Sequence, residues 1–126
     1  MFPLIYTSRL ELRPALSLDC DILTNLWNEE DVKKFFWDGK CITTSQVHEE
    51  LDFCKSSFKE YGIGHWIITI ENKTAIGSIG LLTYQDPFFD REILKKEAGM
   101  VELIFAVFPN FRRLGLVTEA TKAIIR

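Results

Sequence analysis

Arg112, Arg113 and Gly115 stand together in the stretch Phe111-Arg112-Arg113-Leu114-Gly115-Leu116-Val117-Thr118-Glu119-Ala120. Two guanidinium groups beside a glycine are suited to holding an anion. The flanking residues say how such a turn is presented. Residues 101–108 are apolar apart from Glu102, the pattern of a strand buried on both faces. Pro109 and Asn110 stop that strand, because proline cannot donate to a ladder and asparagine favours turns. Beyond the turn, Leu116, Ala120, Ala123 and Ile124 recur at helical spacing, with Glu119 in the first turn where an acid suits the helix dipole. A buried strand, a short basic turn and a helix opening on that turn form an anion site. Free N–H groups at the helix start point outward, and the glycine lets a phosphate approach the backbone.

Glu102 is the second residue with chemical promise. It is the one charged residue in an eight-residue apolar run, and a carboxylate is seldom buried without a partner or a task. Partial desolvation would raise the pKa of such a group toward the range of a general base acting through water. The alternative is a Glu at a strand end that faces solvent or pairs with Arg9 or Arg13.

Three stretches resemble the GNAT N-acetyltransferases. The basic turn resembles that family's acetyl-CoA pyrophosphate loop, written as Arg or Gln, two residues, Gly, one residue, then Gly or Ala. Arg112 and Gly115 match; Val117 stands where a small residue is expected, and Arg113 where a further glycine is common. The Thr-Glu-Ala ending at 118–120 is typical of the ribosomal-protein N-terminal acetyltransferase branch. Thr7-Ser8-Arg9-Leu10-Glu11-Leu12-Arg13-Pro14 resembles the T-x-R-L-x-L-R opening of the same branch, and Ile76-Gly77-Ser78-Ile79-Gly80-Leu81 its central G-x-I-G-L strand.

The resemblance implies transfer of an acetyl group from acetyl-CoA to a primary amine, either a protein N-terminus or a small molecule. It also implies roles for particular residues. The main chain of Ile104, Phe105, Ala106 and Val107 would meet the pantetheine arm and the thioester oxygen. The amides from Arg113 through Leu114, Gly115, Leu116 and Val117 to Thr118 would take the pyrophosphate, with the guanidinium of Arg112 or Arg113 adding charge-assisted bonds. Glu102 would be the catalytic base. In the aromatic cluster Phe35-Phe36-Trp37, Phe36 and Trp37 would wall the acceptor pocket, core packing being the other reading of that cluster. Tyr84 and His65 are further candidates for the acceptor side, and Trp66 for core or pocket wall.

Bulk composition narrows the alternatives. A chain of 126 residues with 47% hydrophobic content is the length and make-up of one globular domain, residues 1–126. A net charge of −3 offers no basic field for nucleic acid. No apolar run reaches membrane-spanning length, and the first residues lack the build of a signal peptide. Cys20, Cys41 and Cys54 have no paired spacing and read as reduced thiols of a cytoplasmic protein. His48 and His65 do not make a metal motif.

In chain order, alternation over residues 4–13 predicts one strand ended by Pro14. Ser17 is a candidate N-cap for a helix carrying Leu18, Ile22, Leu23, Leu26 and Trp27, and residues 28–34 a second short helix. Thr43 or Thr44 caps a helix running to Tyr61, with Gln46 completing a capping box with Thr43 and Gly62 and Gly64 ending it. Residues 65–71 and 74–84 form a hairpin around Asn72-Lys73, in which Gly77 and Gly80 mark a bulge or a close approach by other atoms. Residues 85–97 form a long exposed connection. The expected fold is α/β (α+β): a largely antiparallel sheet flanked by helices, GNAT-like but lacking the C-terminal strand, helix and hairpin with which that family usually continues. Three readings of that difference stay open: a fragment of a longer acetyltransferase, a catalytically inactive CoA-binding or assembly module, and a homodimer in which two copies cover each other's open edge.

Overall fold

The computed structural model describes residues 4–83 and 101–125. Five strands form one antiparallel sheet in sequence order: β1 (Ile5–Tyr6), β2 (Glu11–Pro14), β3 (His65–Ile70), β4 (Thr74–Thr83) and β5 (Val101–Val107). Four helices accompany it: α1 (Cys20–Trp27), α2 (Glu30–Phe36), α3 (Thr44–Tyr61) and α4 (Leu116–Ile125). This mixed architecture is the expected one. The connection at residues 85–97 lies outside the described residues.

The N-terminal stretch departs from expectation. Residues 4–13 are two short strands folded on each other, with Ile5 opposite Leu12 and Tyr6 opposite Glu11. The reversal has no glycine or proline at its centre. It is closed by Thr7, whose N–H donates to the Leu10 carbonyl at 2.9 Å and whose hydroxyl accepts from the Leu10 N–H at 3.0 Å. Ser17 does not cap α1 either. It opens a 3-10 turn, Ser17–Asp19, and the polar organiser there is Asp19. That carboxylate accepts from the Leu16 N–H and is held by both terminal nitrogens of Arg13, each bond 2.8 Å. Bidentate pairing of this kind fixes orientation as well as charge.

The start of α3 follows its local code. Thr43 Oγ1 accepts from the Gln46 N–H at 3.1 Å and Gln46 Oε1 accepts from the Thr43 N–H at 2.9 Å, so two orphan donors are satisfied reciprocally. Gly62, at φ +77°, closes the other end in the left-handed conformation.

Two apolar clusters hold the layers together. One joins Leu23, Leu26 and Trp27 of α1 and Val47 and Leu51 of α3 to Ile67, Leu82 and Ala106 of the sheet. The other joins Leu12, Ile68 and Ile79 to Leu116 and Ala120 of α4 and to the later α3 residues Cys54 and Phe58. Gly77 and Gly80 prove to be close approaches. A Cβ on Gly77 would lie 2.3 Å from the Ala106 carbonyl oxygen, and one on Gly80 would lie 2.8 Å from His65 Nδ1. The irregularity in register also falls beside Gly77: Ile68 pairs with Gly77 and Thr69 with Ala75, so Ile76 is the extra residue of β4.

Strand β5 is not buried on both faces as its composition suggests. Ala106 and Val107 are buried, but Glu102, Leu103 and Ile104 are half-buried and Phe105 is 49% exposed. The reason is topological. Among the described residues β5 pairs only with β4, from Gly77 opposite Val107 to Thr83 opposite Val101, so its outer edge is open.

Candidate functional site

The open edge of β5 is one wall of a groove of about 970 Å³. The second wall is α2, through Asp31, Val32, Phe35 and Phe36, and the end is closed by the turn before α4. The volume is that of a small-molecule site, and a mostly apolar lining with a few polar groups is what such sites have.

Most of the residues singled out from the sequence meet here. Glu102, Ile104, Phe105, Ala106 and Val107 line the groove along β5, as do Arg112, Arg113, Gly115, Leu116, Val117 and Thr118 at its closed end, and Phe36 on α2. Leu114 does not line it. Its side chain is exposed and its carbonyl accepts from Arg9 Nη1 at 3.0 Å. Trp37 lies in the core, 6% exposed, away from the groove lining. His65 and Trp66 are also core residues rather than pocket wall. His65 is fully buried with Nε2 2.9 Å from Glu50 Oε2, and Trp66 packs edge-on against Phe58 at 4.9 Å between ring centroids. Tyr84 lies outside the described residues.

The turn has the conformation that an anion cradle needs. After β5 the chain makes a 3-10 turn, Pro109–Phe111, with proline at its start. Arg113 then adopts φ +65° and Gly115 φ +75°. Two left-handed residues within three fold the backbone back so that α4 opens on the groove. The position where the resemblance expects a glycine but the chain has Arg113 is thus one where glycine would be unstrained. Among the described residues no hydrogen bond takes the amides of residues 113–118, and the first bond of α4 runs from the Glu119 N–H to the Gly115 carbonyl at 3.1 Å. Unspent N–H groups with the helix dipole behind them favour negative charge.

The two arginines of the turn differ. Arg113 is exposed at the closed end of the groove. Arg112 is engaged within the protein: Nε donates to the Val107 carbonyl at 3.0 Å and Nη1 to Asp31 Oδ2 at 2.7 Å. Arg9 and Arg13, the suggested partners of Glu102, are committed elsewhere, Arg9 to Glu119 at 2.7 Å and Arg13 to Asp19 at 2.8 Å. Glu102 itself lies half-buried on the groove wall, opposite Leu82 of β4.

Sequence reasoning missed the residues that reach the site from far away. Arg9 and Thr7 hold the turn from behind through Glu119; their motif was visible but not its purpose. Phe35, from the same aromatic cluster as Phe36, lines the groove as well, whereas Asp31 and Val32 carried no signal, because α2 comes to the groove only through the tertiary fold. Among the described residues no group of His, Cys, Asp and Glu could hold a metal ion, and no helix is long and apolar enough to cross a membrane.

Comparison with known proteins places this geometry. No curated protein matches the sequence. Among solved structures, a Bordetella pertussis protein assigned to the GNAT-family acetyltransferases superposes with a TM-score of 0.73 at 17% identity, covering 95% of this chain and 67% of its own. A Vibrio cholerae protein described as a ribosomal-protein-serine acetyltransferase gives 0.67 at 16% identity, with 99% and 67% covered. AAC(6')-Ib, solved in complex with Parmomycin and acetyl-CoA, gives 0.64 at 17% identity, with 94% and 65% covered. At such identities the likeness is one of fold, and this chain spans about two thirds of the length of these structures. The model of the acetyltransferase (GNAT) domain matches residues 9–126, and the chain belongs to that family.

Proposed function

We propose that this domain serves transfer of an acetyl group from acetyl-CoA to a primary amine by direct attack. The observation that carries the reading is the groove, which joins an open strand edge to a turn of unspent amides. Its parts suit the parts of the coenzyme. The outer edge of the apolar stretch Ile104 to Val107, apart from the Val107 carbonyl that Arg112 takes, fits an amide-bearing pantetheine arm. The amides of Arg113 to Thr118, with the exposed guanidinium of Arg113, fit a diphosphate.

Bound acetyl-CoA supplies an activated thioester. The chain's residues then do three things. The β5 main chain holds the carbonyl in place and polarises its oxygen. Glu102, through water, accepts the proton that the attacking amine must lose. The apolar walls at Phe36 and Phe105 keep bulk water from competing. As the amine nitrogen bonds to the carbonyl carbon, the carbon–sulfur bond breaks and the thiolate leaves to be protonated. The acceptor is an amine of a protein N-terminus or of a small molecule; structural likeness to the ribosomal-protein-serine and AAC(6')-Ib enzymes spans both kinds.

The test is release of free thiol from acetyl-CoA when the protein is offered amine-bearing peptides, polyamines or aminoglycosides. Acceptor-dependent release supports the enzyme. Saturable binding without release leaves a coenzyme-binding or assembly module, and no binding by calorimetry removes the coenzyme altogether.

A further inference from the structure

Arg112 is one of the two arginines that the motif offers to the phosphates, yet its contacts point inward. Nε is spent on the Val107 carbonyl at 3.0 Å, at the end of β5, and Nη1 reaches across to Asp31 Oδ2 of α2 at 2.7 Å. We infer that Arg112 is a positioning residue: with Asp31 it clasps α2 to the end of β5 and so fixes the second wall of the groove, leaving the phosphates to the turn amides and Arg113. The inference rests on the coenzyme reading above for what the groove holds.

Three observations carry it. First, α2 is a short helix in need of a tether. It has seven residues, its N-cap Glu29 makes no side-chain capping bond, and only Val32 of it is buried. Its other described hydrogen bonds stay local: Lys33 N–H to the Glu29 carbonyl, the N–H groups of Trp37 and Gly39 to the Lys33 carbonyl, and Lys33 Nζ to Cys41 Sγ. Second, the wall it supplies is apolar and poorly seated, since Phe35 is 83% exposed while lining the groove. Third, Arg112 is fixed before it meets Asp31. An exposed ion pair between two floppy side chains contributes little, but a guanidinium already anchored by Nε presents a preorganised donor and loses less freedom on pairing. Asp31 lies beside the groove as well, and a carboxylate next to Arg112 offsets the very charge that a phosphate ligand would need.

The experiment compares wild type with Asp31→Ala, Arg112→Ala and the double variant, using two probes: acetyl-CoA, and S-acetylpantetheine, which has no phosphate. Hydrogen exchange of residues 30–36 reports the tether without any ligand. The clasp predicts that each single variant speeds exchange there several-fold and that the double variant adds nothing. It also predicts that both single variants weaken both probes by the same factor, on the order of three- to ten-fold, and that Asp31→Glu restores most of the loss. Unchanged exchange in α2 overturns the clasp whatever the ligands do. So does a loss in Arg112→Ala confined to acetyl-CoA, especially with tighter binding by Asp31→Ala, since that is how a phosphate ligand competing with Asp31 behaves. A wild type that binds neither probe removes the coenzyme reading instead, and the exchange data alone then decide the clasp.

Discussion

Arg9 Nε lies 2.7 Å from Glu119 Oε1, joining positions 110 residues apart in the chain. The same carboxylate accepts from the Thr7 hydroxyl and, at 3.0 Å, from the Arg9 N–H, while Arg9 Nη1 reaches the Leu114 carbonyl at 3.0 Å. The reversal between β1 and β2 is thereby bolted to the turn that opens α4. Two motifs at opposite ends of the sequence are parts of one brace, and the brace sets how the turn's amides face the groove.

A pH dependence follows. The Thr7 hydroxyl, then the bonds and charge of Arg9, hold the Glu119 carboxyl down at about 2 against an ordinary 4.5, despite the opposing effect of burial. A folded-state pKa below the unfolded one gives stability that is fully present above about 4.5 and is lost as pH falls toward 2. Glu119→Gln should cost about 1.5–3 kcal/mol at pH 7, the range for hydrogen bonds to a charged group. It should also lose less stability than wild type between those two pH values. Urea midpoints at pH 7 and pH 3 measure both, and parallel acid losses in the two proteins would dismiss the brace.

Arg113 offers a separation of stability from binding. At φ +65° a side chain costs roughly 1–2 kcal/mol that glycine does not. Arg113→Gly should therefore raise the melting temperature by a few degrees while weakening acetyl-CoA binding and flattening its salt dependence. Arg113→Ala keeps the strain and loses the charge, so it should bind as poorly with no gain in stability. Equal melting temperatures for the two variants would refute the backbone argument.

What could be read from the sequence was what neighbours in sequence determine. The Thr43–Gln46 box, the Gly62 stop and the strand–turn–helix order at 101–125 are local codes, and each appears where its residues put it. The reversal at Thr7 was invisible because a distant acid, Glu119, helps to hold it in place of a glycine or proline. The composition of β5 suggested full burial because an apolar strand reads the same whether its far edge meets a neighbour or a groove. The aromatic pair at 36–37 was split by helix geometry. Phe36, on the last turn of α2, reaches the groove, and Trp37, just past its end, turns into the core. Asp31 had no periodic or motif signature at all, since its place opposite β5 exists only in the folded chain.

The buried pair of Glu50 on α3 and His65 on β3 was also beyond sequence reading. Their side chains are 3% and 1% exposed, and Nε2 and Oε2 are 2.9 Å apart. The imidazole fits because Gly80 on the adjacent strand has no Cβ. Removing one partner of a buried hydrogen bond costs about 1–3 kcal/mol. Glu50→Ala should be destabilised to that extent and Glu50→Gln, which keeps an acceptor for the ring, by clearly less. Chemical denaturation of the two variants would settle it, and a Glu50→Ala loss below about 0.5 kcal/mol, the size of an ordinary surface change, would contradict the assignment.

Glu102 carries the sharpest kinetic expectation, because it stands on the groove wall in β5, opposite Leu82. A residue that lines the groove half-buried is placed to take a proton through water. Glu102→Gln keeps the size and a hydrogen-bonding end but cannot accept that proton. General-base catalysis is worth about 10²–10⁴ in rate, so kcat for an amine acceptor should fall by at least a hundredfold. Affinity for acetyl-CoA, read by calorimetry, should change little. A variant that retains the rate would mean that proton removal belongs to another group, and that Glu102 merely shapes the wall.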